Sequence, residues 1–547
     1  MTFKKYYLST NFTDHLLTFH SMNRPKKLIA NSATGTSIEK REPRLKFILG
    51  DQLTVQSPIF SDIHPDDHFV MAELKHEATH VWSTKMRIAY FLSTMRHFHQ
   101  KLTTMYSNVL YFKTEDRFQS FSQLLDALNE QYTFSVLELV WPGDYRVKEE
   151  LNTWAKTHQK TIIFHDDPHF YITPQTFKEW AGAKKEIRME FFYRWMRQKF
   201  HILMNEKEPE GGQWNFDELN RQPPKKGMEA SIPTVQSFAP DSLTTSVLSL
   251  VKETYSNHPG SLELFDWPVT REEALLALDD FLIHRLALFG PYQDAMIENQ
   301  SYLYHARLSA ALNSKLLSPQ EIIAAVLQAR HNHKIPIATI EGFIRQILGW
   351  REFVRGVYWL KMPEFLTLNH LEHQENLPSM YWSGETQMNC MKQSLQQTLN
   401  LGYAHHIQRL MVLGLFAQLY QVNPQQIHEW FLSVYTDAVE WVELPNVLGM
   451  SQFADGGYMV SKPYVASGNY IQKMSNYCKN CPYNPKELLT ENACPFNVLY
   501  WDFLITHESE FSNHPRTALQ WKHLKNKTPG ERDQIKQKAK QIRLALR

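Results

Sequence analysis

Five short apolar runs alternate with helical stretches between residues 45 and 170. The best-defined helical stretch spans about 78–102, where apolar residues recur among charged ones. Strands that alternate with helices predict a parallel sheet covered on both faces. We therefore predict an α/β domain with a Rossmann-like, doubly wound parallel sheet. The five predicted strands are LKFIL (45–49), FVMAEL (69–74), NVLYF (108–112), SVLELV (135–140) and TIIFH (161–165).

The pattern changes after residue 170. MEFFYRWMRQKFHILM (189–204) predicts a helix dense in aromatic rings, and a stretch rich in Pro, Ser and Thr then runs to about residue 245. Helical periodicity dominates from about residue 270, in segments 272–288, 319–332, 339–360, 392–421 and 424–442. The predicted organisation is a basic, poorly ordered extension (1–44), the α/β domain (45–170), a connector (171–245) and a larger all-α domain (246–547).

Composition narrows the class of protein. A chain of 547 residues is too long for one compact core, which agrees with two domains. Lys and Arg total 58 against 57 Asp and Glu, so any nucleic-acid surface must be a local basic patch. No apolar run approaches the roughly 20 residues of a membrane helix, and the first residues show no signal-peptide pattern. We expect a cytoplasmic protein with no membrane partner.

The four cysteines are Cys390, Cys478, Cys481 and Cys494, all in the predicted helical domain. Four thiolates on one centre would suit zinc or an iron–sulfur cluster. The Cys-x2-Cys pair is typical of zinc, whereas the isolated Cys390 is not typical of a zinc ribbon. Spacing alone leaves zinc, a cluster and four unrelated buried thiols open.

The segment YAHHIQRLMVLGLFAQLY (403–420) predicts a helix on which His406 and Arg409 share a face. Acidic residues follow among aromatic and aliphatic ones, at Asp437, Glu440 and Glu443. Buried acids need a partner, and Arg409 is the obvious one. On these residues alone, a structural ion pair beside a core histidine is a slightly simpler interpretation than a functional site.

Several further motifs carry a family resemblance. GWREFVRGVYW (349–359), AHHIQRLM (404–411) and EWVELPNVLGMSQFADGG (440–457) resemble the flavin-binding half of photolyases. FILGDQL (47–53), MEFFYRWMR (189–197), GGQWNF (211–216) and the tail YCKNCPYNPKE…NACPFNVLYWDF (477–503) resemble the bacterial iron–sulfur branch of the photolyase/cryptochrome superfamily, which includes bacterial (6-4) photolyases. The resemblance runs from about residue 45 to 520.

The resemblance implies three cofactors. The first is FAD in the helical domain, with Arg409 and Asp437 paired beside its ring, Glu443 near N5, and Gln346, Trp350 and Arg351 lining the flavin or substrate cavity. The second is a [4Fe-4S] cluster on the four cysteines. The third is a 6,7-dimethyl-8-ribityllumazine antenna in the α/β domain, at Gly50, Asp51, Gln52, Glu73 and Glu77. The GDQ triplet directly follows the first predicted strand, where open α/β sheets bind ligands.

The resemblance also assigns catalytic and electron-transfer residues. His406 matches the active-site histidine of (6-4) photolyases, and Trp382 and Trp430 match aromatic electron-transfer residues. Three positions depart from related patterns. Val447 replaces the flavin-proximal Trp of most photolyases, Phe431 replaces a Tyr, and Leu410 stands where animal (6-4) enzymes have a second histidine.

The implied function is light-driven repair of UV-damaged DNA by a monomeric lyase. Excited reduced FAD would donate an electron to a flipped-out (6-4) pyrimidine–pyrimidone photoproduct. One alternative is a cryptochrome-type blue-light photoreceptor without repair activity. Another is an iron–sulfur nucleic-acid protein related to primase large subunits, which would have no use for the α/β domain.

Overall fold

The computed structural model describes residues 41–546. The predicted extension over 1–44 therefore lies outside the described residues, apart from its last four. Five parallel strands form one sheet in the order β3-β2-β1-β4-β5. Each predicted apolar run overlaps one of these strands, which confirms the predicted fold class. The strands are β1 (Arg44–Phe47), β2 (His68–Ala72), β3 (Val109–Phe112), β4 (Val136–Val140) and β5 (Thr161–His165).

The central strand β1 fixes the position of a crevice. Leu45 is paired with His68 of β2 on one side and with Leu137 of β4 on the other. The chain order therefore reverses at β1, and open sheets of this kind bind ligands at the carboxyl ends of the strands beside such a point. The residues that follow β1 and β4 are GDQ (50–52) and WPGD (141–144).

Helices cover the sheet and connect it to the rest of the chain. The helix predicted over 78–102 begins later, at Lys85, because the side chain of Thr84 accepts a hydrogen bond from the Arg87 amide and caps it. The aromatic-rich helix is confirmed as Met189–Phe200. The helices up to residue 254 are Lys75–Thr79, Lys85–Thr103, Phe121–Gln131, Tyr145–Thr157, Pro174–Ala181, Met189–Phe200 and Ser242–Thr254.

The remainder of the described chain is largely helical, and three of its helices contain a π-helical segment. These segments are Arg345–Arg351, Arg409–Gly414 and Pro445–Ser451. The α-helices are Arg271–His284, Leu286–Tyr292, Ser309–Asn313, Pro319–His333, Ile337–Ile344, Glu352–Lys361, Met380–Ser383, Asn389–Leu401, His406–Gln408, Leu415–Tyr420, Pro424–Val434, Glu440–Leu444, Gly468–Met474, Pro495–Thr506, Glu508–Phe511, Ala518–Lys522 and Pro529–Ala545.

Three helices predicted as continuous are interrupted. The helix predicted over 272–288 is divided at Arg285, and the other two breaks lie at or next to candidate site residues. The prediction of one helix over 392–421 is wrong, because Gly402 adopts a left-handed φ of 61° and ends the first helix at Leu401. The prediction over 424–442 is also wrong, because the chain is extended at Tyr435 after Val434. Asp437 lies in this last break.

The sheet and the helical part share an apolar core. Ile48 and Met71 on the strand side belong to the same buried cluster as Leu413 and Trp430 on the helical side. A shared core holds the carboxyl edge of the sheet in a fixed relation to the helices that contact it. The boundaries at residues 170 and 245 stay predictions.

Candidate cofactor and substrate sites

Arg409 is the centre of a buried charged cluster in the helical part. Its Nη2 donates to both carboxylate oxygens of Asp437 at 3.0 Å, and its Nε donates to the Ala404 carbonyl at 2.7 Å. Its Nη1 lies 3.4 Å from Glu443 Oε1, and its guanidinium lies 3.7 Å from the ring centroid of Tyr435. The sequence-predicted pair of Arg409 and Asp437 is therefore present. The last two breaks in the helices contribute to it, through Ala404 and Asp437.

The two acids beside Arg409 differ in their surroundings. Asp437 accepts a further hydrogen bond from the Ser309 hydroxyl at 2.6 Å. Burial raises the pKa of Glu443 to about 8, although the charge of Arg409 opposes this shift. Near neutral pH the Glu443 carboxyl is therefore largely protonated and can donate a hydrogen bond, whereas Asp437 accepts hydrogen bonds from Arg409 and Ser309.

His406 lies beside two buried histidines. His305 stacks on His405 with ring centroids 4.4 Å apart, and His406 meets His305 edge-on at 5.6 Å. Burial lowers the pKa of both His305 and His405 well below its ordinary value, so both rings are neutral. The His406 side chain is 49% exposed, and its Nε2 lies 3.5 Å from Asp294 Oδ1. His406 is thus the ring of this trio that a ligand in solution reaches.

The histidine trio is not arranged as a metal centre, although its ligand atoms all lie within 4.8 Å of one another. Nitrogen lone pairs lie in the plane of the imidazole ring. The planes of His305 and His405 are only 11° apart, so their lone pairs run in parallel and do not converge on one ion.

The four cysteines line one cavity of about 320 Å³, so the structure brings together residues that are more than a hundred positions apart. Apolar side chains complete its wall, and all four thiols are free of disulfides. Burial, reinforced by the neighbouring sulfurs, raises the pKa of Cys390 well above its ordinary value and that of Cys478 to about 12. A bound iron–sulfur cluster or a single metal ion would supply the positive charge that stabilises four neighbouring thiolates.

The second cavity, of about 920 Å³, opens at the carboxyl edge of the sheet. Gly50, Asp51, Glu73 and Glu77 are among the residues that line it, as the sequence predicted for one pocket. Burial raises the pKa of Asp51 to about 6, with Lys315 opposing the shift and Asp144 adding to it. A ligand in this cavity would meet a carboxyl that changes charge close to neutral pH.

Glu73 and Glu77, two of the acids that line this cavity, have different hydrogen-bond partners within the protein. Glu73 accepts from Arg96 Nε at 2.7 Å, from the Tyr111 hydroxyl at 2.7 Å and from the Thr114 amide at 2.9 Å, so its oxygens are engaged within the protein. Glu77 is bound in a bidentate pair by Arg146, at 2.9 and 3.1 Å. Glu73 therefore braces the wall of the cavity.

Gln52 is not among the residues that line the cavity. Its Nε2 donates to the carbonyls of Val140 and Trp141 at 3.1 and 3.3 Å, and so links the end of β1 to the end of β4. This link holds the mouth of the crevice at the strand reversal.

Three further predicted residues lie on the helical segment around residue 350. Gln346 and Trp350 are half-buried, and Gln346 donates to the Gly342 carbonyl one turn earlier. Arg351 is buried. Its guanidinium lies 4.0 Å from the Phe170 ring centroid and donates to the His169 carbonyl at 2.7 Å. Arg351 thus fastens this segment to the residues that follow β5.

Trp430 contacts Tyr381, the residue that precedes Trp382, in the helical part. Trp430 is fully buried, donates from Nε1 to the Tyr381 carbonyl at 3.0 Å, and meets the Tyr381 ring edge-on at 5.0 Å. Trp382 follows Tyr381 and is half-buried. Phe431 meets Trp430 at 5.2 Å, whereas Val447 lies buried in the last π-helical segment.

Sequence reasoning missed several polar residues at these sites. Arg87 and Asp144 line the large cavity, and Arg146 binds Glu77 beside it. The available signal was WPGDYR (141–146), which follows a predicted strand just as GDQ does. Asp294, His305 and Ser309 all lie about a hundred positions or more before His406 and Asp437. No spacing in the sequence links them to these two residues.

Comparisons with known proteins find relatives, one of which covers most of the chain. The family described as "Deoxyribodipyrimidine photo-lyase-related protein" matches residues 46–267. A (6-4) photolyase of Agrobacterium fabrum is 42% identical over 478 residues, which cover 87% of this chain and 94% of that protein. The uncharacterised protein R852 of Acanthamoeba polyphaga mimivirus is 28% identical over 141 residues, covering 25% of this chain and 70% of that protein.

Two solved structures have the same fold. One is a class III photolyase from Agrobacterium tumefaciens, with a TM-score of 0.52, 13% identity, and coverage of 80% of this chain and 88% of that one. The other is a cryptochrome of Synechocystis sp. PCC6803, with a TM-score of 0.53, 13% identity, and coverage of 80% and 89%.

The class defined by this fold and by these sites is that of the photolyases and cryptochromes. The chain belongs to the photolyase/cryptochrome superfamily, and the extended match to the Agrobacterium fabrum protein joins it to the (6-4) photolyases. Membership of this superfamily implies a flavin cofactor, FAD. Within residues 41–546, every helix is too short or too polar to span a bilayer.

Proposed function

We propose that this protein is a (6-4) DNA photolyase, a light-driven lyase that reverts (6-4) pyrimidine–pyrimidone photoproducts in DNA. The observation that carries the proposal is the 42% identity to a (6-4) photolyase along 94% of that protein. The position of His406, exposed at the rim of a buried polar cluster, supports it. DNA is the substrate, and its phosphates would meet local Lys and Arg side chains, since the net charge is only +1.

The helical cluster around Arg409 fits a flavin. A buried guanidinium, a carboxylate and a protonated carboxyl present both donors and acceptors to a heteroaromatic ring that carries N–H and C=O groups. When bound, reduced FAD supplies the photoexcited electron that splits the lesion. In this proposal Arg409 and Asp437 fix the ring position, and Glu443 donates its hydrogen bond close to N5. Gln346, Trp350 and Arg351 stabilise the adjoining helical segment.

His406 is the proposed proton donor to the lesion. Reversal of a (6-4) photoproduct needs a proton transfer that the splitting of a cyclobutane dimer does not. His406 is accessible, and its Nε2 lies 3.5 Å from Asp294 Oδ1. Neither His305 nor His405 can compete for that proton, because burial keeps both rings neutral. With Leu410 in the position of a second histidine, one ring performs the acid–base step.

The cysteine cavity is proposed to hold a [4Fe-4S] cluster. A single zinc ion needs its sulfur ligands close together around bonds of about 2.3 Å. Cys390 stands alone rather than in a second close pair, and the tail 477–503 resembles that of the iron–sulfur photolyases, so both features favour the cluster over zinc. The ligands join the helix that begins at Asn389 to the segment 478–494, so the cluster would brace this part of the fold.

The large cavity is proposed to hold a 6,7-dimethyl-8-ribityllumazine antenna. Apolar side chains and a few converging polar groups line it together, as is usual for small-molecule sites. When bound, the antenna supplies absorbed near-ultraviolet or blue light energy to the flavin. Asp51 and Glu77 are the carboxyl groups that would meet its polar atoms, while Gln52 and Glu73 hold the walls.

The proposal is tested by substituting His406 and measuring repair of a defined (6-4) lesion. His406→Asn should abolish repair of a defined (6-4) oligonucleotide, because general acid catalysis contributes about 10²–10⁴ in rate. His405→Asn is the control, and both variants should keep their flavin spectrum and their binding to lesion DNA. Repair by His406→Asn at the wild-type yield would contradict the proton-donor role, whereas absence of repair by the wild-type protein itself would favour a photoreceptor function.

A further inference from the structure

Trp82 is the most exposed tryptophan among the large apolar side chains that reach the surface. Its side chain is 47% exposed, although an indole ring normally buries most of its area. Trp82 is not among the residues that line the large cavity at the edge of the sheet. Its ring lies against Trp382, with centroids 4.8 Å apart and planes inclined by 51°.

The backbone around Trp82 is fixed to the helix that carries Trp430. The Thr84 amide donates to the Ser433 carbonyl at 2.8 Å, and the Ser433 hydroxyl donates to the Trp430 carbonyl at 2.8 Å. On its other side, the Ser83 carbonyl accepts from His258 Nδ1 at 2.7 Å. These hydrogen bonds fix the backbone next to Trp82 and so help to hold its ring against Trp382.

These contacts place three indole rings in order of increasing exposure. Trp430 is fully buried, Trp382 is half-buried, and Trp82 reaches solvent. The link from Trp430 to Trp382 runs through Tyr381, whose ring and carbonyl both contact Trp430. A positive charge is more stable where water can solvate it, so a charge formed at Trp430 is driven outward along this series.

We propose that Trp82 is the terminal residue of the electron-transfer chain, the point at which soluble reductants deliver electrons. The proposal rests on the flavin function proposed above. With oxidised flavin bound and photoexcited, Trp430 would give it one electron. Trp382 would then transfer one electron to Trp430, and Trp82 would transfer one electron to Trp382. The Trp82 cation then releases its indole proton to water. A soluble thiol returns one hydrogen atom to the ring, and two thiyl radicals combine to a disulfide.

The experiment compares Trp82→Phe with Trp382→Phe and with Trp195→Phe in the flavin-loaded protein. Phe keeps an aromatic ring in contact but is much harder to oxidise than Trp. Trp195 is a matched control, because it is a half-buried tryptophan in a separate aromatic cluster with Phe192 and Trp180. Flavin content and melting temperature should be the same in Trp82→Phe and wild type.

Two measurements are made on each protein. The yield of flavin photoreduction with dithiothreitol under blue light should fall by about threefold or more in Trp82→Phe. A threefold loss corresponds to roughly 0.65 kcal/mol in the balance between forward electron transfer and charge recombination. Illumination in air without thiol should place oxygen adducts on Trp82 in the wild type, as located by peptide mass spectrometry. Trp195→Phe should match the wild type in both measurements.

The outcomes separate the proposal from the function on which it rests. Wild-type photoreduction yield in Trp82→Phe, together with a low yield in Trp382→Phe, would overturn the role of Trp82 alone. Unchanged yields in both variants would overturn the whole chain. Wild-type protein that binds no flavin or shows no photoreduction would instead refute the proposed function.

Discussion

Replacing Arg409 by Met should destabilise the protein far more than replacing Glu443 by Gln. Arg409→Met leaves the Asp437 carboxylate buried, with only the Ser309 hydroxyl as a neutral donor. The Asp437 side chain is 9% exposed and that of Arg409 is 19% exposed, so little water can take over the lost pairing. Removing one partner of such a buried pair costs about 3–5 kcal/mol.

Glu443 behaves differently because its charge is already suppressed. With a pKa of about 8 it is mostly protonated at pH 7, and its contact with Arg409 at 3.4 Å is long. Gln keeps the shape and a donor group, so Glu443→Gln should change the free energy of unfolding by less than about 1 kcal/mol at pH 7.

The assay is equilibrium urea unfolding followed by the fluorescence of the 14 tryptophans. A double-mutant cycle with Asp437→Leu should give a coupling energy for Arg409 and Asp437 of about 2–3 kcal/mol. If Arg409→Met lowers the free energy of unfolding by less than about 1 kcal/mol, which is typical of an exposed ion pair, then water reaches Arg409 and Asp437 and the cluster is not buried.

Three further results are expected. Purified protein should contain about four irons per chain, and Cys390→Ala should lose the iron and unfold more readily; stoichiometric zinc in anaerobically prepared protein would rule out the cluster. Glu77→Ala should lose antenna absorbance while retaining FAD, since Glu77 pairs with Arg146 whereas Arg409 pairs with Asp437. Joint loss of both chromophores from folded protein would contradict separate sites. The raised pKa of Glu443 makes the native state bind more protons than the unfolded state between pH 4.5 and about 8, so its contribution to stability declines as pH rises through that range. Glu443→Gln should flatten this part of the stability profile, and an identical pH dependence in both proteins would refute the assignment.

The strands could be predicted to within a few residues because central parallel strands are buried on both faces and appear as uninterrupted apolar runs. The breaks at Gly402 and after Val434 could not, because apolar periodicity continues across them. Their positions depend on a left-handed glycine and on tertiary hydrogen bonds such as that from Arg409 to Ala404. These local departures from helix place the charged cluster.

The candidate sites were predictable to different degrees. Asp51 and Glu77 were assigned to one cavity by family resemblance, and the position of GDQ directly after the first predicted strand supported that assignment for Asp51. The convergence of Cys390 with Cys478 could be inferred only from family resemblance, since spacing left zinc and unrelated thiols open. The anchoring of Arg351 at the His169 carbonyl depends on packing between distant segments, which no periodicity encodes.

The most direct test of light-driven (6-4) repair is product analysis of one defined oligonucleotide. The flavin-reduced wild-type protein is incubated with a (6-4) oligonucleotide in excess, once under blue light and once in darkness, and the strands are separated by liquid chromatography. The proposed function predicts conversion to the undamaged strand in the illuminated sample only, with several turnovers per protein. No conversion under light, from protein that carries photoreducible flavin and binds the damaged strand, would contradict it.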